Sequence, residues 1–278
     1  MSIYVPPMYF STKDGQSERG PLNLPCEVLS KALTDFCDYG TVARLACTSK
    51  TYSKLLVECS TDSFELACAY FEGKNGLEKN PSMAVRLLQK ICSNEENAED
   101  QKEHLSRAKY MLATCHLTGN GTVQDTDKGI ELLESSANVF QDSNSAYYLA
   151  TLYENGEHRV ELCPEKAARW FLYAAELGHA ESMVEYALHL ELGVGVDQDD
   201  AQALQWYLRA AEAGSTEANY SIGECYEEAK GVPHDLSEAC LWYFKSAEKG
   251  CDDSVRALKR LEDIARIVLP GVRNLLHG

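Results

Sequence analysis

Apolar and small residues recur along the second half of the chain with two superimposed periods. The shorter is that of an α-helix. In "EANYSIGECYEEAKGVPHDLSEACLWYFKSAEKG" (217–250), Ala218, Ile222, Gly223 and Tyr226 fall on one helical stripe, and Ala239, Trp242, Tyr243 and Ala247 on a second. Gly231 and Pro233 break the pattern between them. Asp235 is placed to cap the second helix, with Glu238 three residues on to complete a capping box, and Gly250 suits a left-handed stop. The longer period is 36 residues: "WFLYAAELGH" (170–179), "WYLRAAEAGS" (206–215) and "WYFKSAEKGC" (242–251) are one phrase written three times. A period of this size marks a solenoid, in which each unit buries its apolar face only against its neighbours.

The capping position exposes two further units that lack the tryptophan. It holds Asn80, Asp125, Cys163, Asp199 and Asp235, each seven residues before Leu87, Leu132, Trp170, Trp206 and Trp242. Pro81 and Pro164 follow it in two units, where a first-turn proline costs no hydrogen bond. Tyr70 and His116 take the place of Tyr226, and Leu190 does so in the fourth unit. Five helical hairpins are predicted, beginning near residues 62, 106, 145, 180 and 216, with a capping helix from Ser254 to about Ile267. The stretch Cys92–His104, rich in acids, is an insertion expected to be a solvated loop or a helix extension.

Small residues at 150, 187 and 223, and at 175, 211 and 247, let paired helices approach while Trp and Tyr fill the adjoining gap. With "LATLYENG" (149–156), "LGVGVDQDDAQALQWYLRAAEAG" (192–214) and "IGECYEEAKGVPHDLSEACLWYFKSAEKG" (222–250), this combination resembles the Sel-one-like repeats (SLR), relatives of the tetratricopeptide repeats. The resemblance implies an all-α fold: a right-handed α-solenoid of about five SLR hairpins over residues 61–251, closed by C-terminal capping helices in 252–278.

Residues 24–56 carry three short amphipathic stripes, too small for a comfortable core of their own. "LPCEVL", the stop near Phe36 and "LACTSKTY" resemble an F-box, a small three-helix domain, here within residues 21–60. That resemblance implies docking to the Skp adaptor of cullin–RING ubiquitin ligases through Leu24, Pro25, Val28, Leu29 and Leu45. Under the alternative, these helices only cap the array and the chain is a non-enzymatic scaffold or assembly factor. Residues 1–20 have the composition of a disordered tail.

The chain carries 43 acidic against 26 basic residues, a net charge of −17, which disfavours nucleic acid and anionic membranes and favours a basic partner. No transmembrane run and no secretory signal is apparent, so a cytoplasmic or nuclear protein, monomeric on its own, is expected. The 11 cysteines are odd in number, aperiodic and without a CxxC, which reads as reduced thiols; Cys225 and Cys240 are the pair placed to meet within one unit. Hydrolase, metalloprotease, phosphate-loop and calcium-loop patterns are all missing, so neither catalysis, nor a cofactor, nor a metal is expected. The glycines of "GNGTVQD" and "GVGVDQD" belong to turns, and His116 to the packed interior.

Function is therefore expected on the first helices. Tetratricopeptide geometry implies an inner, concave face built from Phe64, Cys68 and Phe71; Tyr110 and Thr114; Tyr147, Thr151 and Glu154; Val184, Leu188 and Glu191; Tyr220, Glu224 and Glu227; with Arg256 and Arg260 from the cap. An aromatic row beside a carboxylate row suits an extended or helical client peptide bearing basic residues. The alternative is that Tyr147 and Tyr220 simply pack against the following hairpin.

Overall fold

The computed structural model describes residues 63–73, 77–93 and 102–268. Eleven α-helices run through them: α1 Ser63–Glu72, α2 Pro81–Ser93, α3 Lys102–Thr118, α4 Thr126–Phe140, α5 Ser143–Asn155, α6 Pro164–Glu176, α7 Ala180–Leu192, α8 Asp200–Glu212, α9 Thr216–Glu228, α10 Leu236–Glu248 and α11 Asp252–Val268. No strand occurs among the described residues. The helices pair as five antiparallel hairpins, α1/α2 to α9/α10, each second helix also packing on the next first helix, and α11 closes the series. The fold is the expected all-α solenoid of helical hairpins, and Ser63–Glu72 with the chain from Lys79 onward forms one compact unit. The insertion after Ser93 is in part a helix extension, since α3 starts at Lys102, ahead of the expected 106. The three F-box-like stripes, Leu24, Pro25, Val28, Leu29 and Leu45 among them, lie outside the described residues.

Two backbone devices repeat and set the period. Within each hairpin the amide of the capping residue donates to a carbonyl of the first helix: Asn80 to Tyr70, Asp125 to His116, Cys163 to Tyr153, Asp199 to Leu190 and Asp235 to Tyr226, all at 2.8–3.0 Å. His116 and Leu190 thus hold the register of the tyrosines they replace. The same bond corrects the expected capping box. Asp235 accepts from the amides of Ser237 and Glu238, but its own amide is taken by Tyr226, so Glu238 has no cap donor to reach back to. Cys163 gives α6 no side-chain cap, and Pro164 starts that helix instead. Between hairpins, the amides of Gly178, Gly214 and Gly250 donate three residues back and those of His179, Ser215 and Cys251 five back, the Schellman pairing that absorbs the last carbonyls of α6, α8 and α10.

The core is an alternation of alanines and large side chains. Ala167, Ala168, Ala174 and Ala210 are fully buried beside Phe171, Tyr207, Leu149, Leu152 and Ile222, and Trp206 sits at 8% exposure. Gly223 belongs to this scheme: a Cβ there would lie 2.5 Å from the Tyr243 ring, so the missing side chain is the space the tyrosine occupies. Cys225 and Cys240 do not form the suspected pair; all seven cysteines of the described residues are free thiols. Cys225 is buried in the core of its hairpin, and burial pushes its thiol up to about 12, with Glu191 adding to the rise.

His116 packs as expected, but both ring nitrogens are buried without a hydrogen-bond partner. Burial first, and then Lys128, lowers its pKa below the ordinary histidine range. The unfolded chain therefore takes up the proton before the folded one does. Stability is complete above the ordinary histidine pKa of about 6.5 and falls as pH drops through it towards the lowered folded value. His116→Tyr, which writes the residue of the fifth unit into the second, is expected to narrow the difference in melting temperature between pH 7.5 and pH 5.5. An undiminished difference would assign the acid sensitivity elsewhere, beginning with His179, which burial also lowers.

Candidate interaction face

The first helices present the expected residues in very different states. Phe64 and Val184 are buried and belong to the core, whereas Leu188 is exposed. Phe71, Tyr110, Tyr147, Tyr220, Glu154, Glu191, Glu224 and Glu227 are half-buried, as are Cys68, Thr114 and Thr151. Arg256 is exposed and pairs with Asp253 of its own helix. The tyrosines are not a bare aromatic row. Tyr147 lies 4.7 Å from the His179 ring at the start of the next hairpin and 5.9 Å from Phe171, and Tyr110 lies 5.8 Å from Tyr148. Tyr220 packs 5.5 Å from Tyr243 of its own hairpin and donates its hydroxyl to Glu224 at 2.7 Å. Packing against the following hairpin thus holds for Tyr147, while Tyr220 packs on the cluster that Tyr243 forms with Ala257 and Leu261 of α11.

The carboxylate row is likewise engaged within the array. Three glutamates in one register each reach a basic group of the next unit. Glu154 meets Nε2 of His189 at 3.2 Å, Glu191 the Lys230 ammonium at 2.6 Å, and Glu227 the Arg260 guanidinium, at 2.7 Å from each oxygen. Glu191 and Glu227 also accept the hydroxyls of Tyr207 and Tyr243 in their own second helices, at 3.1 and 2.7 Å. Phe171 occupies the same register without a hydroxyl, so the Glu154 rung is simpler. Glu191 and Glu227 are each 17% exposed, enough burial to strengthen the charge-assisted bonds relative to surface pairs. The result is a ladder of carboxylates tying the third unit to the fourth, the fourth to the fifth and the fifth to α11. His189 and Lys230 were not singled out in the sequence, because nothing local distinguishes them from any other polar residue.

A second set of acids is not engaged in this way. Burial, and then the charges of Glu185, Glu181, Glu154 and Glu217, raise the pKa of the Tyr147 hydroxyl. Among the described residues Glu185 has no side-chain hydrogen bond and no ion pair, and burial, then Glu154 and Glu217, raise its carboxyl above the usual range while His189 partly offsets them. Glu224 is raised too, chiefly by burial. The helix sequence AESMVEYALHLEL of α7 carries Glu181 and Glu185 one turn apart, the periodicity that could have revealed this patch. Among the described residues, no cluster of His, Cys, Asp and Glu has the arrangement of a metal site, and no helix is long and apolar enough to cross a membrane.

Five successive matches to the Sel1 repeat model cover 63–95, 106–138, 143–179, 180–215 and 216–251, more than half of the chain and one match for each hairpin. The chain belongs to the Sel1 repeat family. These boundaries fall on the hairpins described above, and the solved structures agree on the fold. A Sel1 repeat protein from Oxalobacter formigenes is similar at 21% identity with a TM-score of 0.60, over 83% of this chain and 88% of that one. A protective antigen of uropathogenic Escherichia coli strains displaying an SLR fold is similar at 19% identity and 0.63, over 85% of this chain and 51% of that one. The comparison with curated proteins gives no match. Sel1 repeats are in general a protein-interaction fold, and a protein-binding scaffold is what this repeat array constitutes.

Proposed function

We propose that this Sel1 repeat protein is a non-enzymatic adaptor whose repeats hold a basic client segment against the α5, α7 and α9 face. The observation that supports this reading most directly is the state of Glu185. A half-buried carboxylate with no hydrogen-bonding partner among the described residues, and with the charges of Glu154 and Glu217 acting on it, sits at a cost that a bound lysine or arginine would relieve. The aromatic surface of Tyr147 and the exposed Leu188 supply apolar contact beside it. Glu191 and Glu227 serve the array rather than the client in this reading, since their charges are already met within it.

The test uses the full chain and a Lys/Arg-rich helical peptide followed by fluorescence anisotropy at two salt concentrations. Glu185→Lys with Glu217→Lys is expected to weaken binding at least about tenfold and to flatten its salt dependence, with little change in melting temperature. Equal affinity of the variant and the unmutated chain would remove this face as the client site.

The finer role, as substrate-recognition subunit of a Skp–cullin–F-box ligase, rests on the resemblance of residues 24–56 to an F-box. A purified Skp-type adaptor is expected to bind the full chain and to lose binding on Leu24→Asp or Leu29→Asp. No binding by the unmutated chain would leave a scaffold or assembly factor in which these residues only cap the repeats.

A further inference from the structure

Three large apolar side chains stand exposed at the end of α7: Leu188, Leu192 and Val194, at 39%, 62% and 40% exposure. Leu188 and Leu192 continue the helical stripe that Glu181 and Glu185 begin, in steps of four, three and four residues. Glu181 is exposed and Glu185 half-buried, so the whole stripe lies on the open side of the helix. It is divided into carboxylates in the first half and leucines in the second, their centres about 10 Å apart along the axis.

The repeat itself does not require this division. In register with Leu188, Leu192 and Val194, the third unit carries Thr151, Asn155 and Glu157, and the fifth Glu224, Glu228 and Lys230. All six are polar. The apolar end is also held in place. The Val194 amide donates to the His189 carbonyl at 3.0 Å, and the Val194 carbonyl lies 2.8 Å from His189 Nδ1. A single exposed leucine is ordinary, but three apolar side chains together on an otherwise polar register mark a contact surface.

The carboxylates decide what can cover that surface. Glu181 lies 3.7 Å from His179 Nε2, but burial lowers the pKa of that imidazole and leaves it neutral at pH 7. A second copy of this chain fits poorly. Two α7 helices set antiparallel place Glu185 opposite Leu188 and Glu181 opposite Leu192, which strips water from carboxylates against apolar carbon. Set parallel, they place carboxylate on carboxylate. A partner with cations along the first half and apolar carbon along the second satisfies both halves at once.

We infer that the client is an amphipathic helix lying along α7, with two cationic side chains one turn apart over Glu181 and Glu185. Two large apolar side chains follow on the same stripe, over Leu188 and Leu192. The inference rests on the client face proposed above and adds that cations alone do not suffice. Charge and apolar carbon are separated into blocks in the client, as they are in α7.

The experiment follows three labelled helical peptides by fluorescence anisotropy with the full chain. Two carry a pair of arginines one turn apart and a pair of leucines one turn apart on one stripe, one peptide for each order, since a helix can lie along α7 in either direction. The third has the same composition and stripe, with arginine and leucine alternated. The tighter block peptide is expected to bind at least about tenfold more tightly than the alternated one. Leu192→Gln is expected to remove most of that ratio, with Leu188→Gln as a second variant should the first not fold. Equal affinity of block and alternated peptides overturns the inference, as does an undiminished ratio in a folded leucine variant or no binding by any peptide. Glu185→Lys with Glu217→Lys separates this inference from the reading beneath it. If that variant loses the peptides while the leucine variants change nothing, the face holds a basic client and only the apolar half is refuted. If it binds every peptide as the unmutated chain does, the face itself is refuted and this inference with it.

Discussion

Trp206→Ala is expected to cost about 3–5 kcal/mol in chemical denaturation, the range for emptying a buried aromatic site. The indole is 8% exposed, meets the Tyr186 ring edge-on with centroids 5.6 Å apart, and has the Arg209 guanidinium 4.6 Å over its face. Tyr186 belongs to α7 and Trp206 to α8, so the contact holds one hairpin closed. The neighbouring alanines cannot move in to fill the space, because α8 is fixed at both ends, by the Asp199 cap and the turn at Gly214. Trp206→Phe keeps most of the edge contact and should lose much less. Trp170 and Trp242 are only half-buried and should each cost less than Trp206. In a one-dimensional array such a loss can uncouple one unit from the rest. Hydrogen exchange should therefore accompany the denaturation curve, and a loss below about 1 kcal/mol would mean that the site collapses around the alanine.

Gly231→Ala is expected to cost about 3 kcal/mol or more, through strain in a left-handed backbone added to a clash that no side-chain rotation relieves. Gly231 has φ +68°, and a Cβ there would lie 2.3 Å from the carbonyl oxygen of Asp200 and 2.7 Å from the Ala201 nitrogen, in the first turn of the preceding α8. Gly195 meets Pro164 in the same way one unit earlier. Gly250 provides the control. Its φ is +92° but nothing lies within 4 Å, so Gly250→Ala should carry the conformational cost alone, about 1 kcal/mol. Similar losses in the two variants would show that the loops do not rest on the preceding hairpin. The third unit has solved the same contact differently: its loop carries Arg159 at φ 68° and is held by a hydrogen bond from Thr126 Oγ1 to the His158 carbonyl, at 2.7 Å.

The hairpins, their order and most of their ends were legible in the chain because the signals are local. A helical stripe, a cap three residues from its donor and a turn glycine all act within a few residues, and their 36-residue recurrence multiplies the evidence. Even the degenerate units could be found, since Asn80 and Asp125 keep the cap where the tryptophan is lost. The side-chain alignments across units could not. Glu191 reaches Lys230 across 39 residues and Glu227 reaches Arg260 across 33, intervals that differ because long flexible side chains choose their partners by where neighbouring units bring them. The resemblance to tetratricopeptide geometry placed Glu191, Glu224 and Glu227 on one face. Only the tertiary structure decided that Glu191 and Glu227 are paired within the array while Glu185, one position off the expected rule, lies half-buried with its carboxyl raised by burial and by Glu154 and Glu217. Helical period fixes which side of a helix a residue occupies, but whether its charge is answered depends on the stacking of the next unit.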